Sequence, residues 1–90
     1  MVINVEYVTN AREVTRKAGE QVNLKERTTV GELLDRLTSR YGLPFKKAIE
    51  HEGAFMFISR KDSGYRSVPA REMELEDGDF ILFGGVIVGG

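Results

Sequence analysis

The sequence predicts an α+β domain in which a sheet of about five strands packs on one main α-helix. One observation is an alternation of apolar and polar residues near the N-terminus. A second is a single amphipathic stretch with start and stop signals for a helix, and a third is a run of four apolar residues that follows a turn near the C-terminus. Ninety residues accommodate one domain, which would bury roughly 60 to 65% of the surface of the unfolded chain.

Composition excludes several classes of function. The chain carries 13 basic and 14 acidic residues, so no global field draws it to nucleic acid or to an anionic membrane. Cysteine is absent, which excludes disulfides, thiolate metal sites and a persulfide on the chain itself. The stretch MVINVEYV lacks the features of a signal peptide, and no apolar run is long enough to span a membrane. We therefore expect a cytoplasmic protein with no nucleic-acid or membrane partner.

The first strand is marked by Ile3, Val5 and Tyr7, which alternate with polar residues as in a strand with one face on a core. Val22 and Leu24 alternate in the same way and predict a second strand. Together the two strands form a hairpin with a long loop.

The loop of this hairpin, residues 9–17, is polar and charged. Arg12, Arg16 and Lys17 crowd it. An ordinary solvated loop is one interpretation, and a basic patch for a partner is the other.

The main helix begins with a capping box, because Thr29 and Glu32 have the required spacing. Its apolar stripe, which should face the sheet, is formed by Val30, Leu33, Leu34, Leu37 and Tyr41. Gly42 lies where a left-handed C-cap residue belongs, and Pro44 should prevent the helix from resuming. A structural role in the helix accounts for all of these residues, and we assign none of them a catalytic or binding role.

The middle of the chain predicts a helical turn over residues 45–50 and a strand over residues 55–58. His51, a lone histidine, is interpreted as a surface residue rather than a ligand. Asp62-Ser63-Gly64 predicts a turn into a further strand over residues 65–68, which Pro69 ends.

The last strand follows the turn Asp77-Gly78-Asp79, in which the carboxylates can accept hydrogen bonds from nearby backbone amides. Residues 80–83 are apolar at every position, which predicts a central strand covered on both faces. Gly84 and Gly85 predict a hinge. Beyond this hinge, the apolar segment Val86 to Val88 precedes the final Gly89-Gly90. Because neither glycine has a β-carbon, this end of the chain could pass through a narrow slot in a partner.

The pattern L-x-D-G-D-x-I with a short apolar tail and Gly-Gly resembles the MoaD/ThiS family, the sulfur-carrier branch of the ubiquitin-like proteins. The matching positions are Leu75, Asp77, Gly78, Asp79, Ile81, Phe83, Gly89 and Gly90. Residues 28–42 are similar to the long helix of the family. The resemblance implies a β-grasp domain over residues 1–83, with the first and last strands paired in parallel, and a flexible tail over residues 84–90.

The resemblance also implies a function for the terminal carboxylate of Gly90. An adenylating enzyme of the ubiquitin-activating type would activate it with ATP and magnesium, and a persulfide donor would convert it to a thiocarboxylate. The sulfur would then pass to a molybdopterin precursor in the large subunit of molybdopterin synthase, with this chain as the small subunit of a heterotetramer. The sequence contains no P-loop, G-x-G-x-x-G motif or metal cluster, so we expect it to bind no cofactor and to rely on its partners for catalysis.

We expect partners to contact the tail and the last strand. The predicted contact residues are Gly84, Gly85, Val86, Ile87, Val88 and Gly89, together with either Phe80 or Leu82 on an open sheet face. Alternative functions are a sulfur carrier for thiamine or for tRNA thiolation, and a modifier joined to lysines through Gly90. A non-covalent β-grasp interaction module is a further alternative.

Overall fold

A computed structural model describes residues 1–51, 53–60 and 66–84, with Arg66 described by its backbone only. The described part contains five strands and three helices: β1 (Val2–Tyr7), α1 (Thr9–Thr15), β2 (Gly19–Asn23), α2 (Val30–Tyr41), α3 (Leu43–Glu50), β3 (Phe55–Ser59), β4 (Arg66–Ser67) and β5 (Phe80–Gly84). The α+β prediction is confirmed. The predicted turn at residues 62–64 lies outside the described residues.

The sheet has the strand order β2-β1-β5-β3-β4. β1 and β5 pair in parallel, with Val5 opposite Ile81 and Tyr7 opposite Phe83. The other neighbours, β1 with β2, β5 with β3 and β3 with β4, pair antiparallel. The parallel pairing of the first and last strands, which the resemblance implied, is therefore present at the centre of the sheet.

Strand β5 is central, but the expectation that it is covered on both faces is wrong. Ile81 and Phe83 are buried in one cluster with residues of all three helices. On the opposite face Phe80 is 36% exposed. Because the described helices pack against the Ile81 side, the other face of the strand is open.

Residues 9–17 are not the polar loop that their composition suggested, because α1 occupies most of them. Ala11 and Thr15 lie one helical turn apart and are both buried. The Thr15 hydroxyl donates to the Ala11 carbonyl at 2.9 Å. A helix of seven residues is too short to be stable in isolation, so packing on the core determines its formation.

Helix α2 begins with the predicted capping box: the Thr29 side chain accepts from the Glu32 amide, and the Glu32 carboxylate accepts from the Thr29 amide. Val30, Leu33, Leu34 and Leu37 are buried, as the stripe predicts.

The end of α2 differs from the prediction. Gly42 has φ 80° and ψ −166°, a conformation almost restricted to glycine but not the left-handed helical one. It redirects the chain, and α3 begins at the next residue. Pro44 does not prevent this new helix, because its missing amide lies in the first turn, where no helical partner exists.

The core is richest in aromatic rings where β1, β5 and α3 meet. Tyr7 stacks on Phe83 with ring centroids 6.1 Å apart, and Phe45 packs edge-on against both rings. All three side chains are almost completely buried. This cluster anchors the end of β5.

Candidate functional site: the end of the last strand and the open sheet face

The turn that leads into β5 is fixed to β1 by backbone and carboxylate contacts. Gly78 has φ 85°, and its amide donates to the Val2 carbonyl at 2.8 Å. The Asp77 carboxylate accepts from the Val2 amide at 2.7 Å, and that of Asp79 accepts from the Glu76 amide at 2.8 Å. The predicted role of the carboxylates as acceptors for backbone amides is confirmed.

Asp79 is a buried charge, 2% exposed, and its partner is Arg60. The Arg60 Nε lies 3.2 Å from the carboxylate, and the same guanidinium contacts Glu76 and the Glu74 carbonyl. This contact holds the turn against the end of β3. Sequence reasoning missed Arg60, because nothing in the local pattern connects residues 19 positions apart.

Phe80 and Leu82 lie on the same face of β5, because side chains two residues apart in a strand point the same way. The sequence left open which of the two faces outward, and in the structure both lie on the open face. Both side chains are partly exposed, whereas Ile81 and Phe83 point into the core.

The open face carries an apolar surface of four side chains, which we call the open-face patch: Phe55, Phe57, Phe80 and Leu82. Phe57 lies opposite Leu82 in the sheet and is 39% exposed. Its ring centroid is 5.9 Å from that of Phe55. Phe57, Phe80 and Leu82, together with Ser59, line a shallow depression of about 310 Å³. The sequence analysis did not assign Phe55 and Phe57 to a site, although the antiparallel register places them there.

The last described residue, Gly84, belongs to the sheet. It is paired with Phe55 and buried, so β5 extends one residue beyond the boundary predicted after Phe83. The other proposed contact and reactive positions lie outside the described residues and remain predictions: Gly85, Val86, Ile87, Val88, Gly89 and Gly90.

Lys17, from the predicted basic loop, takes part in an intramolecular network. Its ammonium lies 3.6 Å from the Glu20 carboxylate, and Arg40 approaches the same carboxylate at 3.0 Å. The hydroxyls of Tyr7 and Tyr41 also donate to Glu20. For Lys17 these contacts support a structural role rather than a basic patch for a partner.

Other functional classes receive no support from the described part of the chain. His51 is exposed at the end of α3. Within residues 1–51, 53–60 and 66–84, no group of three His, Cys, Asp or Glu side chains could hold a metal ion. In the same ranges, no helix is long and apolar enough to cross a membrane.

The fold and the position of its last strand define a β-grasp chain, and comparison with solved structures agrees. A putative molybdopterin converting factor subunit 1 from Pyrococcus furiosus matches with a TM-score of 0.75 and 18% identity, over 97% of this chain and 99% of its own. SAMP1 from Haloferax volcanii, also described as small archaeal modifier protein 1, matches with a TM-score of 0.69 and 18% identity over the whole of both chains.

A third match comes from the BexX/CysO complex of Amycolatopsis orientalis, with a TM-score of 0.61 and 23% identity over 98% of this chain and 99% of that one. No protein-family model and no curated protein matches the sequence. At these identities the likeness establishes the ubiquitin-like β-grasp fold, which is the fold that the C-terminal motif implied.

Proposed function

We propose that this protein is a ubiquitin-like sulfur carrier whose Gly90 carboxylate is adenylated and converted to a thiocarboxylate, and that it serves as the small subunit of molybdopterin synthase. The observation that carries the proposal is the position of β5. This strand lies at the centre of the sheet, shows apolar side chains on an open face, and is followed in sequence by Gly85 and then V-I-V-G-G. The match to the putative molybdopterin converting factor subunit supports the molybdopterin branch.

The chemistry begins at a carboxylate, which is a poor electrophile until it is activated. In the adenylating enzyme, a Gly90 oxygen attacks the α-phosphorus of ATP, and pyrophosphate leaves. The outer sulfur of a donor persulfide then attacks the acyl carbon, and AMP leaves. A thiol cleaves the resulting acyl disulfide and releases the thiocarboxylate. The carrier supplies the acyl group and its presentation, while its partners supply ATP, magnesium and sulfur.

The open-face patch is the proposed docking surface for these partners. The exposed atoms of apolar side chains do not contribute to folding stability, because they stay in water. Exposed aromatic and aliphatic side chains are, however, common anchors of protein–protein interfaces. From Gly84 to Gly90 is six residue steps, so an extended tail would reach about 20 Å from the end of the sheet. A partner seated on the patch would thus receive the carboxylate in a deep active site.

A second candidate function is a modifier joined to lysines through the same Gly90. It is favoured by the match to Haloferax volcanii SAMP1, which spans the whole of both chains. Both functions begin with the same adenylate and diverge in the nucleophile that follows. The group that finally receives the sulfur or the acyl group therefore distinguishes the two functions.

The test is incubation with an adenylating enzyme from the source organism, ATP, magnesium and a persulfide donor, followed by intact-mass spectrometry. We expect one oxygen to be replaced by sulfur, and fragmentation to place the exchange on Gly90. An unchanged mass with an enzyme that is active on another carrier would contradict the proposal. Addition of the large synthase subunit and a molybdopterin precursor should return the carboxylate, whereas a lysine conjugate would favour the modifier.

A further inference from the structure

Gly84 lies in a slot between two side chains on the open face. A β-carbon placed on this residue would be 2.5 Å from Cζ of Phe55, 3.0 Å from Cε2 of the same ring and 2.6 Å from Cγ2 of Val8. Contacts below about 3.0 Å are not tolerated between carbon atoms, because the dispersion optimum lies near 3.5 to 4.0 Å. Any side chain at this position would therefore displace both Phe55 and Val8, or the backbone between them.

The slot is held from both neighbouring strands. On the β1 side, the Val8 amide donates to the Phe83 carbonyl at 2.9 Å, which fixes Val8 beside the end of β5. On the β3 side, Phe55 is the direct partner of Gly84 in the antiparallel register. Glycine weakens a strand, so its presence here is explained by the close approach of the Phe55 ring.

Phe55 thus has two sets of contacts. It covers Gly84, and its ring also packs on Phe57 within the open-face patch. A partner that docks on the patch would press on a ring that already covers the last described residue of β5. The docking surface and the start of the tail are connected through this one side chain.

We propose that Phe55, with Val8 opposite it, is a positioning residue that determines where and in which direction the chain leaves the sheet, and so delivers the Gly90 carboxylate to the activating enzyme. The inference rests on the proposed function and deepens it. Phe57 contributes only to the affinity for the activating enzyme, whereas Phe55 determines the rate of Gly90 adenylation once the complex has formed. The reason is geometric, because a misplacement of about 1 Å in a reacting group can cost about a hundredfold in rate.

The test compares two identical chemical changes on the same face, Phe55→Leu and Phe57→Leu. Both keep an apolar side chain in the open-face patch, but only the first removes the ring edge that covers Gly84. The measurement is pyrophosphate release by the adenylating enzyme of the source organism, with the carrier as the varied substrate and a melting curve for each variant. We expect Phe55→Leu to lower kcat about tenfold with KM changed less than about threefold. Phe57→Leu should raise KM and leave kcat within about twofold.

Gly84→Ala provides an independent variant, because the new methyl group must displace the Phe55 ring and Val8. It should lower both kcat and the melting temperature. The added substitution Phe55→Ala should not restore kcat, because it removes the same ring and leaves the methyl group 2.6 Å from Cγ2 of Val8. Equal kcat values for Phe55→Leu and Phe57→Leu, with an active wild type, would overturn the inference alone. A wild-type chain that no active adenylating enzyme accepts would overturn the proposed function and this inference with it.

Discussion

At the scale of single residues, Glu20 is the electrostatic centre that joins β2 to α2. Its side chain is 10% exposed and accepts hydrogen bonds from the hydroxyls of Tyr7 and Tyr41. Burial raises the pKa of Tyr7, and the hydrogen bond to Glu20 raises it further, so this tyrosine stays neutral and acts as a donor. Burial alone would also raise the pKa of Glu20. The two hydrogen bonds, with the charges of Lys17 and Arg40, outweigh burial and lower it.

The first prediction concerns Glu20→Gln. The carboxylate has a folded-state pKa below its ordinary value of 4.5, so its contribution to stability is complete above that pH and is lost as the pH falls through the folded-state pKa. We expect the variant to lose about 1 to 2 kcal/mol near pH 7. This difference should shrink below pH 4.5. Urea denaturation at several pH values measures it. Glu13→Gln, an exposed change on α1, is the control, and a loss independent of pH would contradict the assignment.

At the scale of elements, α2 is determined largely by its own sequence. The capping box satisfies backbone amides of the first turn, and the amides of Val30 and Gly31 donate to the carbonyls of Met73 and Arg71. The segment that leads to the last turn is thereby attached to the start of the helix.

The second prediction is that Thr29→Ala destabilises the protein by about 1 kcal/mol, because the Glu32 amide loses its acceptor. Thermal or urea unfolding measures the change. Ser39→Ala, an exposed substitution within the same helix, should stay within about 0.5 kcal/mol. Equal effects of the two variants would show that the cap contributes nothing.

Strand β5 is the other decisive element, since its two faces have different surroundings. The inward face joins the aromatic core, and the outward face contributes Phe80 and Leu82 to the open-face patch.

The third prediction is that Phe80→Asp weakens binding to the adenylating enzyme by about 2 kcal/mol or more, which is roughly a thirtyfold change in Kd. A charge placed in the patch would be desolvated in the complex, whereas the free protein keeps it in water. Titration calorimetry measures the affinity. Leu43→Asp is the matched control, because Leu43 is also exposed but lies at the start of α3. Unaltered affinity in a folded Phe80→Asp variant would place the docking surface elsewhere.

At the scale of the whole molecule, the proposed chemistry lies beyond the described residues that form the core. The core cluster joins the three helices to β1, β2, β3 and β5, and Gly84 ends the described sheet. The proposed chemistry lies six residues further along the chain. Stability and activity should therefore respond to different substitutions.

The fourth prediction is that deletion of Gly89 and Gly90, or addition of one residue after Gly90, abolishes adenylation. Deletion moves the carboxylate back by about 7 Å, and extension places it beyond the reacting position. Neither glycine has a side chain to bury, so the unfolding free energy should change by no more than about 0.5 kcal/mol. Melting curves measure the effect on stability, and pyrophosphate release on the same samples measures the effect on adenylation. Normal adenylation of the shortened chain would contradict the proposed mechanism, and a large loss of stability would assign the tail to the core.

The sequence by itself determined the features that depend on neighbouring residues. Alternation placed Ile3, Val5 and Tyr7 on the core face of β1, spacing marked the capping box of α2, and the D-G-D turn marked the start of β5. These features are local, because each depends on a period or on a hydrogen bond between residues close along the chain.

The features that depend on contacts between distant segments were decided by the tertiary structure alone. Helix α1 forms because Ala11 and Thr15 meet the core, and the ion pair of Arg60 with Asp79 forms only when β3 lies beside β5. The same pairing brings Phe55 over Gly84, and the packing of the helices on the Ile81 side leaves the other face of the last strand open. Each of these contacts joins segments distant in sequence, so its geometry depends on strand order and register, which the periodicity of any single segment does not encode.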